Sequence, residues 1–341
     1  MKVVEVSGDA RSVGRATGEE LREEIHAHLH LFPFPDSRGS FQRRLPAFLA
    51  TLCAHLPEVL EEMEGTAEGA DLPLEDILQL NLPMYAGDLV TSEGCTNLAF
   101  ADGPDGPMWG KNNDGGPPGQ RRPACCRIVR RKGAIPQANF TFCGMVATLD
   151  AVNAEGVAVG HSSVGSAFQQ SDDHLPIRPW GYEALMHART AADFLRTMAS
   201  LPTRGKGYSM VCADAQGTVC SIEAPCPLIQ VRRPPDGQGY VTCVNHYQLP
   251  ALAHADRRTE EGKRSSQARQ RVLDELVAGE RELGLEAMQR ILRHHGDTSV
   301  CRHGGADQDY TEYSMIGLLR SGRVLYLDGN PCESEYAELV L

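Results

Sequence analysis

Residues 94–99 read "GCTNLA" and stand where a helix-rich first third gives way to a segment with the texture of sheet. A thiol is a good nucleophile only as thiolate, so a catalytic cysteine needs a base or a positive field close by. If the bond between Gly94 and Cys95 breaks, the freed α-amine sits on the same residue as the thiol. With a reference pKa of about 7.7–8.0, that amine can act as a base near neutral pH without any histidine. Gly94 fits this reading because a residue without a Cβ tolerates strained backbone angles and exposes its carbonyl to the next side chain. The thiol would attack that carbonyl, an N-to-S shift would give a thioester, and water would finish the cut. The other reading of the dipeptide is a loop followed by a buried, inert thiol.

Upstream of the junction, apolar residues recur at helical spacing from Ser12 to His30, from Phe41 to Gly69 and from Leu74 to Asn81, so the first third is expected to be helical. Downstream, short runs such as TNLAFA, MWGKN, CCRIVRR, FTFCGMVATLDAVN and GVAVGHSS alternate with Gly, Pro and Asp turns, which predicts successive antiparallel strands. A helical interlude from Trp180 to Leu201 is followed by a hairpin over YSMVCADAQGTVCSIEA and a strand at YVTCVNH. Helices over Ser265–Val277 and Leu285–His294 precede a last hairpin, YSMIGLLRSGRVLYLDG. This order predicts an α+β protein with helices packed outside sheets. The charged run from His254 to Gln267 reads as a solvated loop entering a helix, and DGPDG at 102–106 as a hairpin turn.

The chain has 341 residues, 41% of them hydrophobic and 23% charged, as in an ordinary globular protein of one large or two modest domains. A formal charge of −12 argues against nucleic acid as a partner. The start lacks the apolar core of a signal peptide and no apolar run is long enough to span a bilayer, so no membrane association and a cytoplasmic location are expected. The end, AELVL, is not a peroxisomal address. Eleven cysteines without a repeated CxxC spacing predict reduced core residues rather than a disulfide framework or a structural zinc site. The sequon at Asn139 would matter only in a secreted chain.

Five stretches in fixed order carry a resemblance: GCTNLAF at 94–100, WGKNNDGG at 109–116, VNHYQLP at 244–250, SVCRHG at 299–304 and GNPCESEY at 329–336, with GTAEGADLPLEDILQLN before them. Through them most of the chain resembles the acyl-CoA:6-aminopenicillanic acid acyltransferase family of N-terminal nucleophile (Ntn) hydrolases. The resemblance implies a four-layer αββα sandwich of two mainly antiparallel sheets. It also implies a helical pro-region, residues 1–94, cut from a catalytic chain, 95–341, with both parts packed as one unit. Cys95 matches the nucleophile, and Asp114 the aspartate that holds the free α-amine, as a carboxylate can. Asn245 matches the oxyanion-hole asparagine, while His246 beside it receives no role.

Lys111 stands where related bile-salt and penicillin V hydrolases carry Arg. A cation there would favour the thiolate or meet substrate, though without arginine's planar two-point contact; a solvated lysine is the other reading. Cys301 and Arg302 fall on a Ser-Arg pair of the acyltransferase branch. Cysteine donates a weaker hydrogen bond than serine, and Arg302 is expected to bind a substrate carboxylate or pair with an acid.

The function this implies is a self-processing amidohydrolase or acyltransferase. It would act on a small linear amide or acyl thioester through a Cys95 acyl-enzyme, without cofactor or metal, with its oligomeric state open. The rivals are an unprocessed binding or scaffold protein with an inert Cys95, and a metal-dependent hydrolase. Against the latter, His26, His28 and His30 alternate on one helix, and His294 and His295 lack partners at ligand spacing.

Overall fold

The first strand, β1 (Lys2–Gly8), lies ahead of the periodic run that begins at Ser12, in a first third expected to be helical, and it runs parallel to β4 (Ala124–Arg131). The described residues before Cys95 are therefore helical with one strand in front. The signal was present in the alternation of VVEV, whose Val4 and Val6 are buried while Val3 and Glu5 are exposed. The computed structural model describes residues 1–31, 38–82, 94–116, 119, 121–168, 175–201, 206–304 and 309–341.

After β1 come α1 (Ala10–Glu20), α2 (Arg22–Leu31), α3 (Arg38–His55), α4 (Pro57–Ala70) and α5 (Leu74–Asn81). Asp9 starts α1 by accepting a hydrogen bond from the Ser12 N–H. The single run expected over 41–69 breaks at Pro57, which has no N–H to donate and pushes Leu56 out of the helical region. The interlude likewise divides into α6 (Ile177–Leu185) and α7 (Ala191–Ser200), because Thr190 caps the second helix through the Asp193 N–H.

Two sheets form the centre. The larger joins β1, β4, β5 (Gln137–Phe142), β6 (Asp150–Asn153), β7 (Ala158–Ser163), β8 (Tyr208–Ala213), β9 (Val219–Ala224) and β10 (Gln230–Arg232), in that order. The smaller runs β11 (Tyr240–Cys243), β2 (Cys95–Phe100), β3 (Met108–Gly115), β12 (Tyr310–Leu318), β13 (Arg323–Asp328), β14 (Ala337–Val340). Every pairing but β1 with β4 is antiparallel. The sheets stack through β2 and β3 against β7, while α1 covers β1 and β4, and α8 (Glu260–Gly279) and α9 (Leu285–Leu292) cover β11 and β3. The α+β class and the helix–sheet–sheet–helix order are those expected from the sequence.

Strand alternation divides β2 by chemistry. Leu98 and Phe100 face the outer helices, in one apolar cluster with Leu273, Met288 and Ile291. Asn97 faces the other sheet and donates to Ser162 Oγ at 2.8 Å. The sheets meet closely there, because a Cβ on Gly160 would stand 1.9 Å from Asn97 Oδ1. Of the eleven cysteines nine are buried, and Cys53 and Cys332 are exposed; none is in a disulfide. Asn139 is buried inside β5, which closes the sequon to modification. Among the described residues, no helix is long and apolar enough to cross a membrane.

Candidate active site

Cys95 opens β2 directly opposite Asn113 of β3, so the strand pair fixes both faces of its peptide bond. The Gly94 carbonyl oxygen accepts a hydrogen bond from the Asp114 N–H at 3.2 Å. The Cys95 N–H donates to Asn245 Oδ1 at 2.7 Å. The bond between Gly94 and Cys95 is thus buried and held at both its oxygen and its nitrogen.

The reason for glycine at 94 differs from the one the sequence suggests. Its φ is not in the left-handed region. Space is the constraint: a Cβ would lie 2.3 Å from Arg302 Nη1, 2.8 Å from Asp309 Oδ2 and 2.9 Å from Arg269 Nη1. Glycine leaves room for two guanidinium groups against its α-carbon.

Arg269 ties the site together and was not legible in the sequence. Almost fully buried on α8, it donates to the Cys95 carbonyl at 3.2 Å, to Asn245 Oδ1 at 2.9 Å and to Asp114 Oδ2 at 3.4 Å. Burial lowers its pKa to about 10, so it is a cation at neutral pH. The charged run from His254 to Gln267, which the charge pattern assigns to a solvated loop entering a helix, is partly buried and leads into α8. The helix already begins at Glu260, Arg258 donates to the Asn245 carbonyl at 2.5 Å, and Ser266 is buried between the Asn245 N–H and His246 Nδ1. Helical periodicity put these polar groups inward, which a count of charges does not show.

Asp114 is buried, accepts from Thr311 Oγ1 at 2.8 Å and pairs with Arg269. Burial raises its carboxyl pKa against the opposing pull of Arg302, Arg269 and that hydrogen bond. Burial also pushes the Cys95 thiol up to about 11, with the nearby Lys111 cation lowering it and Asp114 raising it. In the uncut chain the thiol is therefore protonated at neutral pH.

Asn245 uses its oxygen for Cys95 and Arg269, while its Nδ2 donates to the Ser163 carbonyl at 3.1 Å. Two donors on the oxygen fix the orientation of the amide. Lys111 is not solvated: it is buried, pairs with Asp150, and donates to the His161 carbonyl at 2.6 Å. Arg302 is the partner of Asp309, at 2.7 Å. His246 is held by Ser266, and burial lowers its pKa to about 4.

A small pocket has Cys95, Asn113, Asp114, His161 and Ser163 on its wall. It is also lined by Arg122, which is paired with Glu312 and lies 3.6 Å over the Phe142 ring, and by Arg178, which makes no ion pair with a described residue. Lys111 and Arg302 do not line it. Away from the cavity, His295 meets Cys301, His303 and Cys332, although the sequence shows it no ligand-spaced partner. Of the alternating histidines, His28 is buried against the Cys143 carbonyl and His26 meets the Ala70 carbonyl.

Two stacked sheets, helices on both outer faces, and a buried cysteine at the first position of a central strand define a four-layer α+β protein with that thiol between the sheets. The sequence profile of the acyl-coenzyme A:6-aminopenicillanic acid acyl-transferase family matches residues 102–311, more than half of the chain, and the chain belongs to that family. Solved structures similar to it include the following three. A Caenorhabditis elegans ortholog of N-acylethanolamine-hydrolyzing acid amidase is 13% identical, covering 66% of this chain and 93% of its own, with a TM-score of 0.48. A variant of the conjugated bile acid hydrolase from Clostridium perfringens is 13% identical over 72% and 92%, at 0.46. Penicillin V acylase from Agrobacterium tumefaciens is 12% identical over 69% and 83%, at 0.38. A search of curated proteins returns no significant match.

Proposed function

We propose that this chain is a self-processing cysteine Ntn amidohydrolase or acyltransferase, activated by cleavage between Gly94 and Cys95. The observation that carries the reading is the grip on that one peptide bond, whose oxygen meets the Asp114 N–H and whose nitrogen meets Asn245 Oδ1. Cys95 Sγ adds to the Gly94 carbonyl carbon, and the oxygen that gains negative charge already accepts from the Asp114 N–H. The C–N bond then breaks, the thiol proton passes to the leaving nitrogen, and water hydrolyses the Gly94 thioester.

The new α-amine stays where the amide was, facing Asn245 Oδ1, with Asp114 one strand away to stabilise its ammonium form. It takes the thiol proton as Cys95 attacks a substrate carbonyl and returns it to the leaving amine. Asn245 Nδ2, beside the Ser163 carbonyl on the cavity wall, is a donor for the substrate oxyanion. On this reading Lys111 acts through the thiol, by favouring its anion, and Arg302 through its packing against Gly94. Arg178, without an ion pair among the described residues, is the pocket-lining cation this reading assigns to an acidic group of the substrate. Hydrolysis or transfer depends on whether water or an amine receives the acyl group. Family membership supports the reaction class.

The test is to incubate mature protein with a panel of linear amides and acyl thioesters, quench in acid and weigh the large chain. An acyl adduct on the peptide beginning at Cys95 supports the reading. No adduct and no turnover with any acyl donor would favour a binding protein that keeps the fold.

A further inference from the structure

Four side chains far apart in sequence converge at the edge of the smaller sheet: His295 after α9, Cys301 and His303 before β12, and Cys332 after β13. Their donor atoms all lie within 4.8 Å of one another. His303 Nε2 is 3.1 Å from His295 Nε2 and 3.1 Å from Cys332 Sγ. Cys301 Sγ is 3.7 Å from His303 Nε2 and 3.5 Å from Cys332 Sγ. We propose that these four residues bind one zinc ion as a closed, structural Cys2His2 site.

The four separations of 3.1–3.7 Å lie near those of a tetrahedral site. Metal–ligand lengths of about 2.3 Å to sulfur and 2.0–2.1 Å to nitrogen place tetrahedral ligand atoms roughly 3.3–3.8 Å apart. Without an ion the convergence has little to hold it. Two imidazole nitrogens facing each other can share only one hydrogen bond, and thiols are weak donors and acceptors. Two sulfurs and two imidazole nitrogens are a donor set suited to zinc rather than to calcium or magnesium. The surrounding groups fit as well: Glu333 Oε1 stands 3.4 Å from His303 Nδ1, and Asn330 Nδ2 donates to Cys301 Sγ at 3.3 Å. A carboxylate behind a ligating imidazole and a donor to a ligating sulfur are the usual outer partners of such a site. Cys301 is buried while the other three are exposed, which gives the ion a way in. Binding releases the two thiol protons to solvent and leaves two thiolates on the metal.

All four protein ligands are used, so the site offers no open position for catalysis. Its effect is positional. Arg302 lies between two ligands, its N–H donates to Thr311 Oγ1 at 2.9 Å, and Thr311 in turn donates to Asp114. The ion would clamp the segment that aims Arg302 at Gly94. This consequence rests on the proposed self-processing, whereas metal binding itself does not.

The experiment measures zinc per chain by mass spectrometry of the elements in protein purified without chelators, for the parent and for Cys332→Ser, His295→Ala and His294→Ala. About one equivalent in the parent and in His294→Ala, with at least tenfold less in the first two variants, is the expected result. Cobalt added to reduced, metal-stripped parent should give the visible bands of a tetrahedral thiolate site, lost in Cys332→Ser. Parent protein that neither carries zinc nor takes up zinc or cobalt after reduction overturns the proposal, as does a Cys301–Cys332 disulfide whose reduction restores no binding. Normal zinc content with no Gly94–Cys95 cleavage would keep the metal site and remove only its tie to processing.

Discussion

Cys95, Asp114 and Asn245 could be picked out of the sequence because each sits in a short stretch shared with a family, and the fold brings all three to one peptide bond. Arg269 could not, since nothing local distinguishes it from the other arginines of a charged run; its role exists only once α8 crosses the end of β2. The same holds for His295 and Cys332, which lie 37 positions apart and meet through the sheet edge. A pH dependence follows from the thiol. With burial holding it near 11, the thiolate fraction of the precursor rises about tenfold per pH unit throughout the neutral range. Precursor made by cell-free translation and shifted between pH 6 and 8 should therefore be cut faster at the alkaline end, by one to two orders of magnitude on a gel time course. A rate that is flat or falls with pH would mean that the thiol is already ionised in the uncut chain.

Among the elements, α1 and α4 pack most closely, by a glycine pair on each helix. A Cβ on Gly14 would come within 2.0 Å of the Glu62 carbonyl oxygen, and one on Gly65 within 2.1 Å of the Arg11 carbonyl oxygen; Gly18 and Gly69 repeat the pattern one turn on. Helical periodicity announced both helices but not this contact, because glycine carries no apolar signal. Gly65→Ala should lower stability by about 1–3 kcal/mol in urea melts, since backbone has to move. Gly279→Ala at the open end of α8, where a Cβ meets nothing within 4 Å, should be neutral or slightly stabilising. Equal effects would argue against the close packing.

Helix α2 is fastened by His28, whose Nδ1–H donates to the Cys143 carbonyl and whose burial lowers its pKa to about 4. Because the folded value lies below the ordinary 6.5, the neutral form is favoured by folding. Its contribution is complete above about pH 6.5 and is lost as pH falls toward 4, a span worth on the order of 3 kcal/mol. His246 titrates in the same sense. The urea midpoint of the parent should drop over that window, and His28→Gln should flatten the drop; parallel curves would contradict the assignment.

Across the whole molecule, the region before Cys95 is built into the rest. β1 is a strand of the larger sheet, and Glu62 of α4 is buried against Arg127 of β4 while accepting from Tyr182 of α6 at 3.0 and 2.9 Å. The sequence announced the order of layers through the alternation of strand and helix patterns. It marked β1 only through the alternation of its valines and not through its pairing, because the parallel partner lies more than a hundred residues away. A chain cut after Gly94 should therefore keep both pieces together until denatured. The measurement that tests the central claim most directly is the denaturing intact mass of freshly purified protein beside a Cys95→Ala variant. The account predicts two fragments divided between Gly94 and Cys95 in the parent and one full-length chain in the variant. A single intact chain in both would contradict it, leaving the fold in place and Cys95 without the amine that makes it a catalyst.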